Sequence, residues 1–257
     1  MEIDPTQNRI AGGNSILNLT RSSGLIFSGT VVRLGESTVP SLPPDKDFVV
    51  IKVERGLRVD PVLGDLKGKL ITMAPAKPGS LRPEERAVFF THSWIHGDGI
   101  AVRELAHADV QAEPEVAALV ERLPEFHLAD RLLAAKLVVV AEVVEIKHLK
   151  RTSYERDAAL WAAAQLRIER VLRGVPTEPV IVYFPTSVGP PWFNAPRFEV
   201  RQRGVFILHA PSDKTLSDKS LPSDGLVALD PTDFLPESRL PQVEKVLAGF
   251  DQEGATS

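Results

Sequence analysis

"RAVFFTH" at Arg86–His92 and "RGVFILH" at Arg203–His209 share one pattern: arginine, a small residue, valine, phenylalanine, two further residues, histidine. A chance match at this separation would stand alone, whereas an internal duplication carries its neighbours with it and fixes the architecture. Four further pairs follow in the same order. "LIFSGTVVRL" at Leu25–Leu34 answers "LVVVAEVVEI" at Leu137–Ile146, and "IKVERGLR" at Ile51–Arg58 answers "LRIERVLR" at Leu166–Arg173. "DGIAV" from Asp98 answers "DGLVA" from Asp224, and "PEVAALVERL" from Pro114 answers "PQVEKVLAGF" from Pro241. The offset grows from 112 (Leu25 to Leu137) to 127 (Pro114 to Pro241) with the order kept, so the loops lengthen while the elements persist.

Each matched segment has a physical reading. The first pair is an apolar, β-branched run suited to a buried strand, and "DFVVIKVERGLRV" alternates in the period-two manner of a half-buried one. "GKLITMA" and "PVIVYFP" give a third strand, the Arg-to-His heptad a fourth, and the stretch after Asp-Gly a short fifth. Asp-Gly supplies the positive φ that a turn between the fourth and fifth strands wants. A helix follows, opened by Pro114 or Pro241 in its first turn, where a missing N–H costs nothing. The first such helix is expected to end at Leu123-Pro124. "RDAALWAAAQ" has helical propensity, but the alignment carries it into the second strand of the second unit, and the repeat decides.

The expected fold is therefore mainly β: two tandem five-stranded OB-like barrels, each followed by a helix, over residues 15–126 and 127–252. Closing a five-stranded unit of about 110 residues on itself removes its exposed edges. "KLVVVAEVVEI", "LRIERVLRGVP", "VIVYFP" and "FEVRQRGVFIL" together resemble the netrin-like module, the OB-fold barrel shared with tissue inhibitors of metalloproteinases. The second unit matches well, with Val171-Leu172-Arg173-Gly174 at the Lys-Gly position of the family's second strand; the first matches loosely, with Gly56-Leu57-Arg58 there. The resemblance implies the fold and no inhibitory mechanism, because those inhibitors chelate zinc through an N-terminal cysteine and rely on disulfides, and this chain has no cysteine.

Composition narrows the function classes. The chain has 257 residues, 43% of them hydrophobic and 25% charged, which is ordinary for a folded protein. A formal charge of -4 gives no global attraction for phosphate backbones or anionic lipid. The absence of cysteine excludes thiolate metal sites and cysteine nucleophiles and fits a reducing compartment. With no basic leader and only strand-length apolar runs, the expectation is a cytoplasmic protein without membrane contact.

No Ser-His-Asp order, nucleophile elbow, phosphate loop or dinucleotide fingerprint occurs, so no catalytic residue, cofactor or metal is expected. His92, His96 and Asp98 invite a metal reading. The repeat explains His92 and Asp98 as partners of His209 and Asp224, which leaves too few ligands for zinc. Glu54 with Arg86, and Glu169 with Arg203, recur at matching places and read as bridges between neighbouring strands on a solvated sheet face.

Function is expected in the loops, where the two units differ. "PTSVGPPWFNAPRF" places Trp192 and Phe193 between prolines, side-chain types that anchor protein interfaces, although they also suit a cap on the barrel end. "KHLKRTSYERD" gathers Lys147, His148, Lys150, Arg151 and Arg156 around Tyr154, in the loop that OB-folds use for oligonucleotides. The leading reading is a non-enzymatic adaptor or assembly protein that binds another protein through Trp192 and Phe193, with Lys150, Arg151 and Tyr154 beside them. The alternative is single-stranded nucleic-acid binding by Lys147, His148, Lys150, Arg151 and Arg156.

Overall fold

The computed structural model describes residues 15–95, 99–149, 160–187, 189, 192–212, 221–222 and 225–254. The chain divides into two compact units, Met1–Leu123 and Pro124–Ser257. The protein is mainly β, with eleven strands in two sheets among the described residues and helices beside them.

The first unit starts with a short helix, α1 (Ile16–Ser22), whose N-cap Ser15 accepts the Asn18 amide. Strands β1 (Leu25–Leu34), β2 (Val49–Arg58), β3 (Leu70–Ala74), β4 (Arg86–Ile95) and β5 (Ala101–Asp109) then close a barrel in the order β1-β2-β3-β5-β4. β1 is apolar on both sides because both of its faces are covered. Leu25, Phe27 and Val31 join Ile51, Val53, Ile71, Met73 and Phe89 in one buried cluster. Ile26, between them, packs with Val88 and Phe90 under Leu19 of α1 and Val116 of α2 (Glu113–Ala134). The Phe27 and Phe89 rings are fully buried with centroids 5.5 Å apart, and each contributes about 1.5–3 kcal/mol through burial.

The second unit contains β6 (Leu137–His148), β7 (Trp161–Arg173), β8 (Val180–Pro185), β9 (Arg203–Leu208), β10 (Leu226–Val227), β11 (Phe234–Leu235) and a closing helix, α3 (Leu240–Gly254). Its sheet order is β10-β8-β7-β6-β9-β11. Phe184, Phe198, Phe206 and Phe234 stack in its centre with centroids 4.9–5.6 Å apart. Val138, Val205 and Ile207 turn to the other side, where Leu128 and Leu132 of α2 and Val243 of α3 cover them.

The two units agree in register, strand by strand. Ile26 pairs with Arg58 and Val138 with Arg173; Leu34 pairs with Val49 and Ile146 with Ala164. The three irregularities along β1, at Ile26/Phe27, Ser28/Gly29 and Val31/Arg33, recur along β6 at Val138/Val139, Val140/Ala141 and Val143/Glu145. Bulges redirect side chains and bend the strand, so shared bulges impose the same curvature on both sheets. Arg58 Nη1 donates to the Thr20 carbonyl near the end of α1 at 3.0 Å, and Arg173 Nη1 donates to the Leu132 carbonyl near the end of α2 at 2.7 Å.

Four expectations need correction. First, α2 does not stop at Pro124: it runs on to Ala134 with the proline inside. One proline removes a single backbone bond, and burial of Leu128 and Leu132 outweighs that loss. Second, the second sheet is the expected partly open barrel, a curled half-barrel, but six strands stand in it where five are expected. Its fifth strand is split by the turn Pro231–Asp233: β10 pairs parallel to β8 as β5 does to β3, while β11 pairs antiparallel to β9 as β5 does to β4. Third, Leu226 faces Val182 as Val102 faces Met73, so the Asp-Gly segments are displaced by two positions from their sequence match. Neither Gly99 nor Gly225 has the expected positive φ; both are crowded, a Cβ coming within 2.9 Å of the Val39 and Tyr183 side chains respectively. Fourth, Glu54 and Arg86 sit on β2 and β4, which flank β1, so the pair bridges across a strand instead of between neighbours. The Ala-rich stretch is strand from Trp161 onward, as the alignment leads one to expect.

Candidate interaction surface

The loop between β8 and β9 is fastened at both ends. Next to β8, the Thr186 amide donates to the Leu160 carbonyl at 2.6 Å. Before β9, Ala195 and Phe198 are buried. Between these anchors the Trp192 amide bonds to the Gly189 carbonyl, and the Ala195 amide bonds to that of Trp192.

Trp192 turns inward. Its ring meets Trp161 edge-on at 5.5 Å and 65°, and it packs with Leu149, Tyr183, Leu221, Val227 and Leu229. Phe193, the next residue, turns outward and is 71% exposed. Leu160, adjacent to Trp161, is also exposed. A large apolar side chain left in water forgoes its burial energy of about 1.5–3 kcal/mol, the residue type that a partner can recover.

Of the basic loop, Lys147 and His148 end β6 and are exposed, and Lys147 is paired with Glu145 at 3.0 Å. That pairing reduces the local positive field. Lys150, Arg151, Tyr154 and Arg156 lie outside the described residues, as do His96, Asp98 and Asp224. His92 is exposed on β4. Among the described residues no group of three or more histidine and carboxylate side chains is placed to hold a metal ion.

His209 differs from its counterpart. It is buried, and its Nε2 lies 3.1 Å from Oδ1 of Asp233, a fully buried carboxylate. Asp233 also accepts Arg131 Nε and Nη2 at 2.6–2.9 Å, together with the amides of Leu229 and Asp230. Arg131, His209 and the two amides thus converge on one carboxylate. No lone pair is left for chemistry, so the group acts as a pin joining α2, β9 and the Pro231–Asp233 turn. Sequence reasoning missed it. Its one local signal is the Asp230-to-Asp233 capping box, and nothing in the spacing announces Arg131.

Beside the pin, His127 Nε2 lies 2.9 Å from Asp230 Oδ1. Burial opposes ionisation of Asp230, but the hydrogen bonds from His127 and the Thr232 amide outweigh it and hold the carboxyl below its ordinary range. Glu54 is also held low, first by the hydrogen bond from Arg86 and then by that from Thr30. Arg203 makes the matching bond to Glu169 at 2.6 Å. These exposed pairs orient side chains and add little to stability.

No protein-family model matches the chain, and no curated protein matches it. No described helix is long and apolar enough to cross a membrane.

Proposed function

We propose that the protein is a non-enzymatic adaptor or assembly component that binds another protein through the loop carrying Trp192 and Phe193. The observation that supports this is the division of labour between two adjacent residues: Trp192 is seated against Trp161, and Phe193 is thereby held out in water. A pre-ordered aromatic side chain loses little conformational freedom on binding, which favours affinity. Lys150 and Arg151 then steer an acidic partner surface toward the loop.

The matching registers and bulges support reading the chain as an internal duplication. The order β1-β2-β3-β5-β4, with β3 and β5 parallel, supports an OB-type unit related to the netrin-like module. The cysteine-free composition supports residence in a reducing compartment, the cytoplasm.

The test is capture from host lysate by the purified chain and by its Phe193→Asp variant, with and without nuclease. A stoichiometric protein that survives nuclease and is lost with the variant is the expected result. Recovery of nucleic acid, with partners released by nuclease and unaffected by the variant, overturns the reading in favour of single-stranded nucleic-acid binding through Lys147, His148, Lys150, Arg151 and Arg156.

A further inference from the structure

The units differ where the second strand turns back into the third. In the first unit eleven residues join β2 to β3, and they fold back onto β2. The Val53 amide donates to the Lys69 carbonyl at 3.0 Å, and the Gly68 amide donates to the Val53 carbonyl at 2.8 Å. Leu66, three residues before Lys69, is 1% exposed and joins the cluster of Ile51, Val53 and Ile71. The segment Leu66–Lys69 is a tight turn, closed by the Lys69 amide on the Leu66 carbonyl at 3.0 Å, that bonds to the Val53 main chain and drives one apolar side chain into the core.

In the second unit only six residues join β7 to β8. By register Ile168 takes the place of Val53, since Ala141 faces it as Gly29 faces Val53. Pairing between β7 and β8 ends at Leu166 and Val180, the counterparts of Ile51 and Ile71. Among the described residues nothing takes the bonds to Ile168 that Lys69 and Gly68 make to Val53. Beside Leu166, Ile168 and Val180, the counterparts of the residues that Leu66 joins, there is a cleft of about 540 Å³, lined also by Val144, Gln165, Arg167, Glu178 and Pro179.

We propose that this edge of β7 is a docking site for a turn-forming segment of a partner protein, which bonds to the Ile168 main chain and places one aliphatic side chain in the cleft. The first unit shows the occupant's chemistry, because it fills the same place with its own chain. Main-chain bonds to Ile168 supply generic affinity, and the cleft supplies the preference for a leucine-like side chain. A strand edge left with unanswered amide and carbonyl groups is the feature that proteins otherwise cover. The site is separate from the Phe193 loop, so either can fail without the other.

The probe is a blocked peptide of residues 61–70, "PVLGDLKGKL", added to the full chain and followed by amide hydrogen exchange. The Ile168 amide is expected to exchange freely in the protein alone and to slow about tenfold at roughly 1 mM peptide, which corresponds to a dissociation constant near ~0.1 mM. The peptide with Leu66→Asp should leave it unchanged. A second variant replaces residues 174–178 with residues 59–69, which should protect Ile168 without peptide and abolish the response to it. Slow exchange of Ile168 in the dilute wild-type protein, or no change with peptide, overturns the proposal. Protection that rises with protein concentration alone overturns it in favour of edge-to-edge pairing of two copies.

Discussion

Glu84 and Arg201 both hold a left-handed backbone, with φ of 65° and 73°, and each donates its amide to a valine carbonyl in the first strand of its own unit, Val31 and Val143. They are the two non-glycine residues with positive φ among the described residues. In both units the following residue returns the bond, Glu85 accepting from Val31 and Gln202 from Val143. The turn therefore closes the entry to the fourth strand at a conformational cost that β-carbon sterics make unavoidable.

Glu84→Gly and Arg201→Gly should each stabilise the protein by a few tenths to about 1 kcal/mol, the relief of left-handed strain less the added freedom of the unfolded chain. Denaturant unfolding of the single variants measures this. A loss of stability in both would mean that the side chains, not the backbone, matter at these positions.

The buried pin gives a larger effect. Removing Asp233 strands Arg131 and His209 and leaves the amides of Leu229 and Asp230 without an acceptor. Asp233→Ala should cost about 3–5 kcal/mol, as breaking a buried ion pair does. Asp233→Asn preserves shape and separates charge from packing. A cost below about 1 kcal/mol in urea unfolding would show that this corner opens without consequence.

Gly174 has a φ of 85°, and a Cβ there would collide with the Lys136 carbonyl oxygen. Gly174→Ala should therefore destabilise by about 2 kcal/mol or more, combining left-handed strain with a backbone clash. The control is Gly79→Ala, which has a φ of 72° but nothing within 4 Å and should lose only the strain. Equal losses at the two sites, measured by thermal unfolding, would rule out the clash.

Acid sensitivity follows from the two depressed carboxyls. A folded-state pKa below the unfolded value means that the unfolded chain binds the extra proton. The stabilisation is then complete above the ordinary values of 3.8 for Asp230 and 4.5 for Glu54, and it is lost as pH falls through the lower folded values. Unfolding curves collected from neutral pH downward should show a shallower acid decline in Asp230→Asn and Glu54→Gln than in the wild type. Parallel declines in all three proteins would remove these groups from the account.

The shared strand order was legible because strands of period two and their order survive in the residues themselves: Phe27 and Val139, or Phe90 and Ile207, hold equal places without being identical. Connections were less legible. A proline at position 124 reads as a stop, yet Leu128 and Leu132 continue the helix because a core awaits them beyond it. The split of the fifth strand by Pro231–Asp233 is a matter of which edge each half finds, and β10 and β11 are too short to show a period. The pin joins Arg131 to Asp233 across 102 positions, a distance that local pattern cannot span. In the Trp192 loop, prolines erase any periodicity, so the sequence offers two aromatic side chains and no means of saying which one faces in.

That distinction is the sharpest test of the proposed function. Trp192→Ala empties space beside Trp161, Tyr183 and Val227 and should destabilise by about 2–4 kcal/mol, as large-to-small changes at packed sites do. Phe193→Ala, at a side chain already in water, should change stability by less than about 0.5 kcal/mol. Binding should invert the order of specificity. With a captured partner, Phe193→Ala should weaken association about thirtyfold or more, as loss of a hot-spot aromatic worth about 2 kcal/mol does, while unfolding curves stay unchanged. Trp192→Ala should weaken binding only together with the order of its loop, seen as faster amide exchange at Trp192 and Ala195, whose bonds define the turn. Unchanged affinity in Phe193→Ala would reduce Trp192 to a lid on its own core and remove the loop from the interface altogether.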